Sequence, residues 1–418
     1  MQKTEHPDLL QSANIHMDDK KESYKFFVYL WLMYAVVNMT KNCYNGALAG
    51  IVADGVLTKS QTGLITAMFY LVYTPLQVLG GMVVDRFSPE RMIKIGLIGG
   101  AVANGVIYFN HNYSVMMTAW ILNAIVQFSI YPGVYKIVSA QLAKTERKTM
   151  IFYLSFSATS GTLLSYLVAA IVPSWDSNFA VSAVSLVVLA GAMHMFEKHI
   201  EPYCIPNDVP EEKIKPVKGQ TPAVRIFLRS GFFFIVVGNV IATLVNQSRT
   251  TLTPVMLVEN YPGISPSAGN MLNALMIVSG IFGTIVAGRL FKNIKNELWG
   301  VTIAYACLIP FLWVCRFVGI VSLPVLVVCL CCVALFVSVG NLFLSYYIAG
   351  FAKYEISGTA AGIFNSGAAF SYMLSAYAMT RIDEVLGWNF MIGMWPVIIV
   401  VSIVLIIIAI IIKSKNKY

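Results

Sequence analysis

Long runs of apolar residues, separated by short polar stretches, dominate this sequence from residue 26 to residue 412. A helix needs about 20 apolar residues to cross the hydrocarbon core of a bilayer, and runs of about this length recur along the chain. The pattern predicts spans at 26–54, 60–84, 92–110, 114–142, 149–173, 178–197, 228–257, 266–290, 298–317, 321–349, 356–381 and 388–412. The predicted fold class is therefore all-α, a polytopic membrane protein with twelve transmembrane helices.

One long polar connection divides these spans into two groups of six. It runs from Lys198 to Gln220 and carries several prolines and charged residues. We predict a cytoplasmic tail at 1–25, a six-helix bundle at 26–197, a cytoplasmic linker at 198–227, a second six-helix bundle at 228–412 and a cytoplasmic tail at 413–418. The equal division predicts two pseudo-symmetric six-helix bundles.

Composition agrees with this class and orients the chain. Of the 418 residues, 57% are hydrophobic and only 12% are charged, values that exclude an ordinary soluble domain. Residues 1–25 are polar, so no cleaved signal peptide is expected. Most of the 29 Lys and Arg residues lie in the tails, the linker and one set of loops. The positive-inside rule then places both termini in the cytoplasm, with the chain spanning the cell membrane. The net charge of +9 needs no nucleic-acid partner, and a monomer is expected.

The first span contains a lysine in a segment otherwise suited to lipid. Tyr34, Asn38, Lys41 and Asn45 are spaced four, three and four residues apart, which places them on one face of a helix. A cation in the middle of a membrane costs several kcal/mol unless it faces protein or water. This face is therefore predicted to line a polar cavity that binds a solute.

Polar residues in three other spans are candidates for the same site. Span two has Tyr73 and Gln77 on one face, span seven has Asn246 and Arg249, and span eleven has Asn365. Each has a structural alternative: a tyrosine can simply pack with its hydroxyl bonded, and Arg249 can be an interfacial arginine near the outer end of its span. These residues are included in the predicted solute site.

The charges inside the spans favour an anionic solute. Lys41, Lys136 and Arg249 lie within spans, whereas none of the 20 Asp and Glu residues is near the middle of one. For Lys136, a structural role and a solute contact both remain open, because the side chain can reach the interface. The seven cysteines show no metal-ligand or disulfide spacing. No metal, cofactor or catalytic constellation is predicted, so the chain is not expected to be an enzyme.

A motif follows span two at its cytoplasmic end. Gly81, Asp85, Arg86 and Arg91 resemble the signature loop of the major facilitator superfamily, in which a glycine precedes Asp-Arg and a further arginine. The glycine permits close helix approach, and the carboxylate can accept bonds from arginines or a helix N-terminus. The resemblance implies a transporter with two six-helix bundles related as repeats and a solute site at their interface. It also implies that these four residues form a cytoplasmic conformational latch.

A narrower resemblance rests on four short motifs. They are Gly-Thr-Ala-Ala-Gly at 358–362, Lys41-Asn42, Glu146-Arg147 and Thr253-Pro254. Together they look like the organophosphate:phosphate antiporter family, which includes glycerol-phosphate and hexose-phosphate carriers. Members that carry phosphate esters have Arg-Lys in span one, a lysine before the loop aspartate, a histidine in span five and an arginine in span seven. At those positions this chain has Thr40-Lys41, Gln77, Ala158 and Asn246.

The loss of those groups changes the expected solute. A phosphate dianion needs several charge-assisted donors, each worth roughly 1.5–3 kcal/mol, and two cations suit a mono-anion better. We therefore predict secondary transport by alternating access of a small organic anion, a carboxylate such as a sugar acid first and an organophosphate second. Exchange is expected because the spans lack an obvious proton acceptor. The alternatives are a multidrug-type exporter of neutral or cationic apolar compounds and a non-transporting sensor.

Overall fold

The computed structural model describes residues 15–17, 19–142, 146–206, 223–290, 296–319, 322–354 and 356–415. Helices form nearly all of this part of the chain, as the apolar runs predict. Helices α1 to α14 are Lys20–Ala53, Lys59–Arg86, Pro89–Phe109, Tyr113–Gln127, Ile130–Lys136, Arg147–Ile171, Ser177–Ile200, Ala223–Arg229, Phe232–Asn260, Pro266–Leu290, Glu297–Val314, Leu323–Ala349, Ser357–Leu374 and Thr380–Lys415. Short π-helical segments at Ile137–Gln141, Cys315–Gly319 and Ser375–Met379 continue α5, α11 and α13.

Each predicted span coincides with one helix or with consecutive helices. Span four consists of α4, α5 and the π-helical segment that follows them. Spans eleven and twelve run through α13 and α14, and α14 is broken at Gly387, where φ is 78° and ψ is 165°. Glycine adopts positive φ without the steric cost of a side chain, so the break separates the two spans. The predicted all-α, polytopic fold class is confirmed.

The surface of these helices is apolar enough for a lipid environment. Among the described residues, nine helical stretches are long and apolar enough to cross a membrane, with α13 and α14 counted as one stretch. Helices α1 and α2 are not among these nine stretches. Large apolar side chains such as Val102, Val187 and Val400 are exposed. Exposed apolar surface of this kind is stable in lipid rather than in water.

The chain forms two compact units. The first comprises Met1–Ala47 and Val72–Lys215, and the second comprises Leu48–Leu71 and Pro216–Tyr418. The predicted bundles divide at the linker, whereas here the hairpin made by the end of α1 and the start of α2 also belongs to the second unit. This assignment matters below because the hairpin carries Lys59.

Aromatic side chains fill the interior of both units. In the first unit, the rings of Tyr44 and Trp120 lie 5.3 Å apart, and Phe179 packs edge-on against Trp120. In the second unit, Phe232 stacks on the short helix α8 and contacts Phe351 at 5.4 Å. Buried aromatic rings dominate the stability of a core, because each ring removes a large apolar area from water. Each unit therefore has its own hydrophobic core.

A short two-stranded sheet lies in segments that the sequence predicted as tail and linker. Strand β1, Ile15–Met17, pairs antiparallel with β2, Cys204–Pro206. Nearby, the Glu22 carboxylate accepts a hydrogen bond from Lys25 at 2.7 Å and lies 3.0 Å from His199. The predicted tail at 1–25 thus contains a strand and the first turn of α1, and the predicted linker contains β2 and α8. Three-residue strands have too little periodicity to be found by pattern.

Helix α6 approaches α1 closely at Gly161. A Cβ atom at this position would meet the Ala35 carbonyl oxygen and would lie 2.6 Å from Cβ of Asn38. We expect Gly161→Ala to lower the free energy of unfolding by about 1–3 kcal/mol, because neither contact can relax without moving the backbone of α1. The measurement is thermal melting of the purified protein in detergent. Gly105→Ala is the matched control, because a Cβ atom there meets nothing within 4 Å, and an equal loss in both variants would contradict this explanation.

Candidate solute site

In the first unit, Lys41 lies among three tyrosines. Its Nζ donates a hydrogen bond to the Tyr73 hydroxyl at 2.9 Å and lies 4.7 Å from the centre of that ring. The Tyr34 ring centre is 5.7 Å from the same nitrogen, and Tyr131 packs against Tyr34 with ring centroids 5.1 Å apart. Tyrosine faces attract a cation at these distances. We call Lys41, Tyr34, Tyr73 and Tyr131 the lysine cluster.

The lysine cluster compensates only part of the cost of burying a charge. An ammonium group has three donors, and one of them bonds the Tyr73 hydroxyl. Among the described residues, the ion pairs include no carboxylate partner for Lys41. The side chain is half-buried rather than sealed. This group can therefore accept an anion without first breaking an internal salt bridge.

The asparagines predicted on the same stripe make bonds within α1. Nδ2 of Asn38 donates to the Tyr34 carbonyl at 2.8 Å, and Nδ2 of Asn42 donates to the Asn38 carbonyl at 2.9 Å. Asn45 is 3% exposed and donates to Oδ1 of Asn42 at 3.3 Å. Asparagine side chains readily bond nearby carbonyls in this way. Asn38 and Asn45 thus support α1 beside Lys41, and Gln77 lies half-buried one turn beyond Tyr73 on α2.

The second unit contains a separate polar cavity of about 380 Å³. Amides and hydroxyls from four helices line it, and apolar and aromatic side chains complete the wall. The polar lining residues are Asn239, Thr243 and Asn246 of α9, Tyr305 of α11, Asn341 and Ser345 of α12, and Asn365 and Tyr372 of α13. No charged side chain is among the described residues that line this amide cavity. Two of the predicted solute contacts, Asn246 and Asn365, are therefore together in one cavity.

Arg249 lies next to the amide cavity without lining it. The side chain is 3% exposed, and Nη2 donates to Oδ1 of Asn246 at 3.1 Å and to the Thr250 hydroxyl at 3.0 Å. Arginine can only donate hydrogen bonds, so the Asn246 amide must turn its oxygen towards the guanidinium. In the structure Arg249 thus orients a cavity residue, and its direct contact with the solute stays a prediction.

Sequence reasoning missed part of this cavity. Asn341 and Ser345 lie four residues apart in the strongly apolar span of α12, and both are exposed to the cavity. This spacing puts them on one helical face, which is the signal that could have identified them. Tyr305 carries no comparable signal, because a lone tyrosine in a span is usually a packing residue.

The predicted cytoplasmic latch is only partly described. The Asp85 side chain and the packing of Gly81 lie outside the described part of the structure, whereas Arg86 and Arg91 are exposed. The backbone N–H of Arg91 donates to Oγ of Ser88, the N-cap of α3, at 3.3 Å. The role of these four residues as a latch stays a prediction.

Lys136 has a contact at the same end of α2. Its Nζ donates to the Val84 carbonyl oxygen at 2.8 Å. Carbonyls in the last turn of a helix have no intrahelical partner and carry partial negative charge. Of the two readings left open for Lys136, this bond favours a structural role.

A second ionic group, not identified from the sequence, lies at the end of the second unit predicted to face outward. Nζ of Lys59 is 2.6 Å from Oδ2 of Asp383 and 2.9 Å from Oε2 of Glu259. The Trp388 indole N–H donates to the same Glu259 oxygen at 2.7 Å. Asp383 is 2% exposed. We call Lys59, Glu259, Asp383 and Trp388 the outer ionic cluster.

These features define a class of protein. It is an integral, multi-pass helical membrane protein that has polar and charged groups inside its bundles, where helices that only anchor a protein would be apolar. The sequence model of the Major Facilitator Superfamily matches residues 30–376. The chain belongs to this superfamily.

Individual relatives agree with that assignment. The membrane sensor protein UhpC of Escherichia coli is 32% identical over 118 residues, which cover 28% of this chain and 27% of the sensor. The match thus spans just over a quarter of that relative. The glycerol-3-phosphate transporter of Bacillus subtilis is 22% identical over 312 residues, covering 69% of this chain and 70% of the transporter. These relatives agree with the resemblance to the organophosphate:phosphate antiporter family.

Solved structures share the fold. A bacterial homologue of the human lysosomal transporter Spinster, crystallised in an inward-facing, unoccupied conformation, superposes with a TM-score of 0.80 at 13% identity, covering 95% of this chain and 99% of that one. At this identity the likeness establishes the fold alone. Superfamily membership agrees with the prediction that the chain is a transporter and not an enzyme.

Proposed function

We propose that this protein is a secondary transporter that moves a small organic anion across the membrane by alternating access. The observation that carries the proposal is the lysine cluster, where a half-buried cation contacts tyrosines and pairs with no carboxylate among the described residues. A solute carboxylate or phosphate supplies the missing counter-charge. A cation inside a membrane span usually pairs with an opposite charge or marks the pathway of a substrate or ion.

The number of cations favours a mono-anion. Arg249 is engaged with Asn246 and Thr250 in the second unit, so Lys41 is the one cation that we assign to direct contact with the solute. One charge-assisted hydrogen bond contributes roughly 1.5–3 kcal/mol, which balances a carboxylate better than a phosphate dianion. A carboxylate such as a sugar acid is therefore the first candidate. An organophosphate, the kind of solute named for the Bacillus subtilis relative, is the second.

Exchange follows from the same electrostatics. An empty site leaves the Lys41 ammonium without a counter-ion when water is expelled, and desolvating an isolated charge is costly. A bound anion removes that cost, so the loaded protein reorients faster than the empty one. Uptake of labelled anion into proteoliposomes loaded with the same anion should exceed uptake into empty vesicles severalfold, with little added by a proton gradient. Equal uptake into empty vesicles driven by an inward proton gradient would contradict exchange.

A ligand screen tests the solute class directly. A ligand that binds the native protein raises its apparent melting temperature, so purified protein is heated with carboxylates, sugar acids, phosphate esters and an apolar cation. Carboxylates are expected to give the largest shifts. Larger shifts with phosphate esters would reverse the order of the two anion classes, and a response only to the apolar cation would support the multidrug-type exporter.

A membrane sensor is the second candidate, and the local 32% identity to UhpC is the observation that favours it. A sensor and a transporter both bind the anion, so thermal shifts do not separate them. Flux does: a sensor gives thermal stabilisation by the anion without uptake into loaded vesicles.

A further inference from the structure

We propose that Asp383 of the outer ionic cluster is a proton-binding site, and that the bound proton holds the hairpin at Leu48–Leu71 on the rest of the second unit. The cluster joins three connections between predicted spans. Lys59 lies between spans one and two, Glu259 between spans seven and eight, and Asp383 between spans eleven and twelve. All of these residues belong to the second unit, so the site does not depend on the solute that the protein carries.

The outer ionic cluster contains more carboxylate than cationic charge. The Lys59 ammonium lies 2.6 Å from Oδ2 of Asp383 and 2.9 Å from Oε2 of Glu259, so two carboxylates share one cation. The Trp388 indole N–H also donates to Oε2 of Glu259, and hydrogen bonds to a carboxylate favour its ionised form. An ammonium group between the two carboxylates repels a metal ion. A proton on Asp383 is therefore the cation that can neutralise the excess charge.

Asp383 is the carboxylate that is least able to stay ionised. It is 2% exposed, and its Oδ1 accepts no hydrogen bond from the part of the chain that the structure describes. Burial removes hydration that a single ion pair does not fully replace. A proton on Oδ1 removes this cost and leaves Oδ2 as an acceptor for the Lys59 ammonium.

Other charges near Asp383 change this balance little. The charged side chains on the segments around it are Lys59 of α2, Glu259 of α9, Arg381 and Glu384 of α14, and Arg316 of the π-helical segment after α11. Arg381 and Glu384 pair with each other at 2.7 Å, and Arg316 donates to Asn389 at 2.8 Å. Burial raises the pKa of Asp383 to about 6, even though Lys59 acts to lower it.

The hairpin that carries Lys59 packs tightly on the second unit. A Cβ atom at Gly63 would collide with the Ala376 carbonyl oxygen and would lie 3.0 Å from the Thr380 side chain. The preceding residue, Thr62, is fully buried. The hairpin therefore has a closely fitted docked position, and Asp383 is buried in that position.

The docked hairpin should bind the proton more tightly than the released hairpin does. Release of the hairpin hydrates Asp383, whose pKa then returns to the ordinary value of about 3.9. The pKa in the docked state is about 6, so linkage makes docking stronger as the pH falls through this value. An ordinary salt bridge has the opposite pH dependence, because protonation of its carboxylate weakens it.

The accessibility of a thiol at position 62 measures release of the hairpin. Thr62→Cys places a thiol at a buried position, and Thr58→Cys places one at an exposed position of the same hairpin. Alkylation of the purified full chain in detergent is followed by mass spectrometry on the peptides that contain these positions. The rate at position 62 divided by the rate at position 58 corrects for the effect of pH on thiol reactivity. We expect this ratio to fall about tenfold between about pH 7.5 and about pH 5.

Three variants locate the proton. Asp383→Asn keeps an oxygen for Lys59 without the charge, so its ratio should be low at both pH values. Glu259→Gln removes a neighbouring negative charge, so the pH dependence should remain with its midpoint moved to lower pH. Glu384→Gln is the matched control, because Glu384 pairs with Arg381, and it should keep the tenfold change. Thermal melting confirms that each variant is folded.

The outcomes separate a proton site from an ordinary ion pair. A ratio that is independent of pH in the wild type, or that rises on acidification, would overturn the proposal. Unchanged pH dependence in Asp383→Asn, or its loss in Glu384→Gln, would also overturn it, because the proton would then bind elsewhere. None of these outcomes bears on the proposed anion transport, which is tested by ligand binding and flux.

Discussion

Lys41→Met is expected to raise the Kd of the transported anion roughly 10- to 150-fold, the range that corresponds to one charge-assisted hydrogen bond of about 1.5–3 kcal/mol. Methionine keeps most of the side-chain volume and the packing against Tyr34 and Tyr73, so folding should be preserved. Flux in loaded proteoliposomes should fall in parallel. Lys41→Arg keeps the charge, so it should lose less affinity for the anion than Lys41→Met does. It should still lose some affinity, because the planar donor fork of arginine fits the Tyr73 hydroxyl less well than an ammonium group.

Lys136→Met is the matched control for this experiment. It removes a second lysine from a span, but one whose Nζ bonds the Val84 carbonyl. We expect lower thermal stability in that variant and an unchanged Kd for the anion. Wild-type affinity in Lys41→Met, or equal losses of affinity in both variants, would contradict the assignment of the lysine cluster as the anion site.

Lys59→Met is expected to destabilise the second unit by about 3–5 kcal/mol, the cost of removing one partner of a buried ion pair. Asp383 is buried, and Lys59 is its partner at 2.6 Å, so the variant leaves a carboxylate without its counter-charge. The hairpin at Leu48–Leu71 should then pack less firmly on the unit that contains it. Thermal melting measures the loss, and faster labelling of a cysteine placed at Ser60 reports the hairpin.

A double-mutant cycle isolates the ion pair. Asp383→Leu removes the stranded carboxylate, so Lys59→Met combined with Asp383→Leu should recover most of the stability lost in the single lysine variant. Arg381→Met is the control, because Arg381 pairs with exposed Glu384, and surface pairs contribute about 0–1 kcal/mol. Additive losses in the double variant would show that Lys59 and Asp383 act independently and would contradict the outer ionic cluster as a unit.

The helices could be predicted because the signal is local. Each span needs about 20 apolar residues in succession, and that requirement is visible at every span without knowledge of the fold. The β1 and β2 pairing and the outer ionic cluster could not be predicted in this way. Lys59 and Asp383 are more than 300 residues apart in sequence, and nothing in the neighbourhood of either residue identifies its partner.

The candidate site was predicted in part for a related reason. The stripe on α1 was visible, and the structure brings Tyr34 and Tyr73 to Lys41, two contacts consistent with the predicted face. The sequence pattern did not show which polar side chains of α9 line the cavity. Arg249 lies three residues after Asn246, a rotation of about 60° between the two side chains around α9, and that offset is enough to bury one while the other lines a cavity.

The bond between Arg249 and Asn246 also limits the order in which new specificity could evolve. Phosphate-ester carriers of the family that this chain resembles have an arginine at the position of Asn246. Replacing Asn246 with arginine here would remove the oxygen that Arg249 bonds and would place two guanidinium groups one helical turn apart, where their repulsion would destabilise the intermediate. A mutational path that places an arginine at position 246 must therefore change Arg249 first.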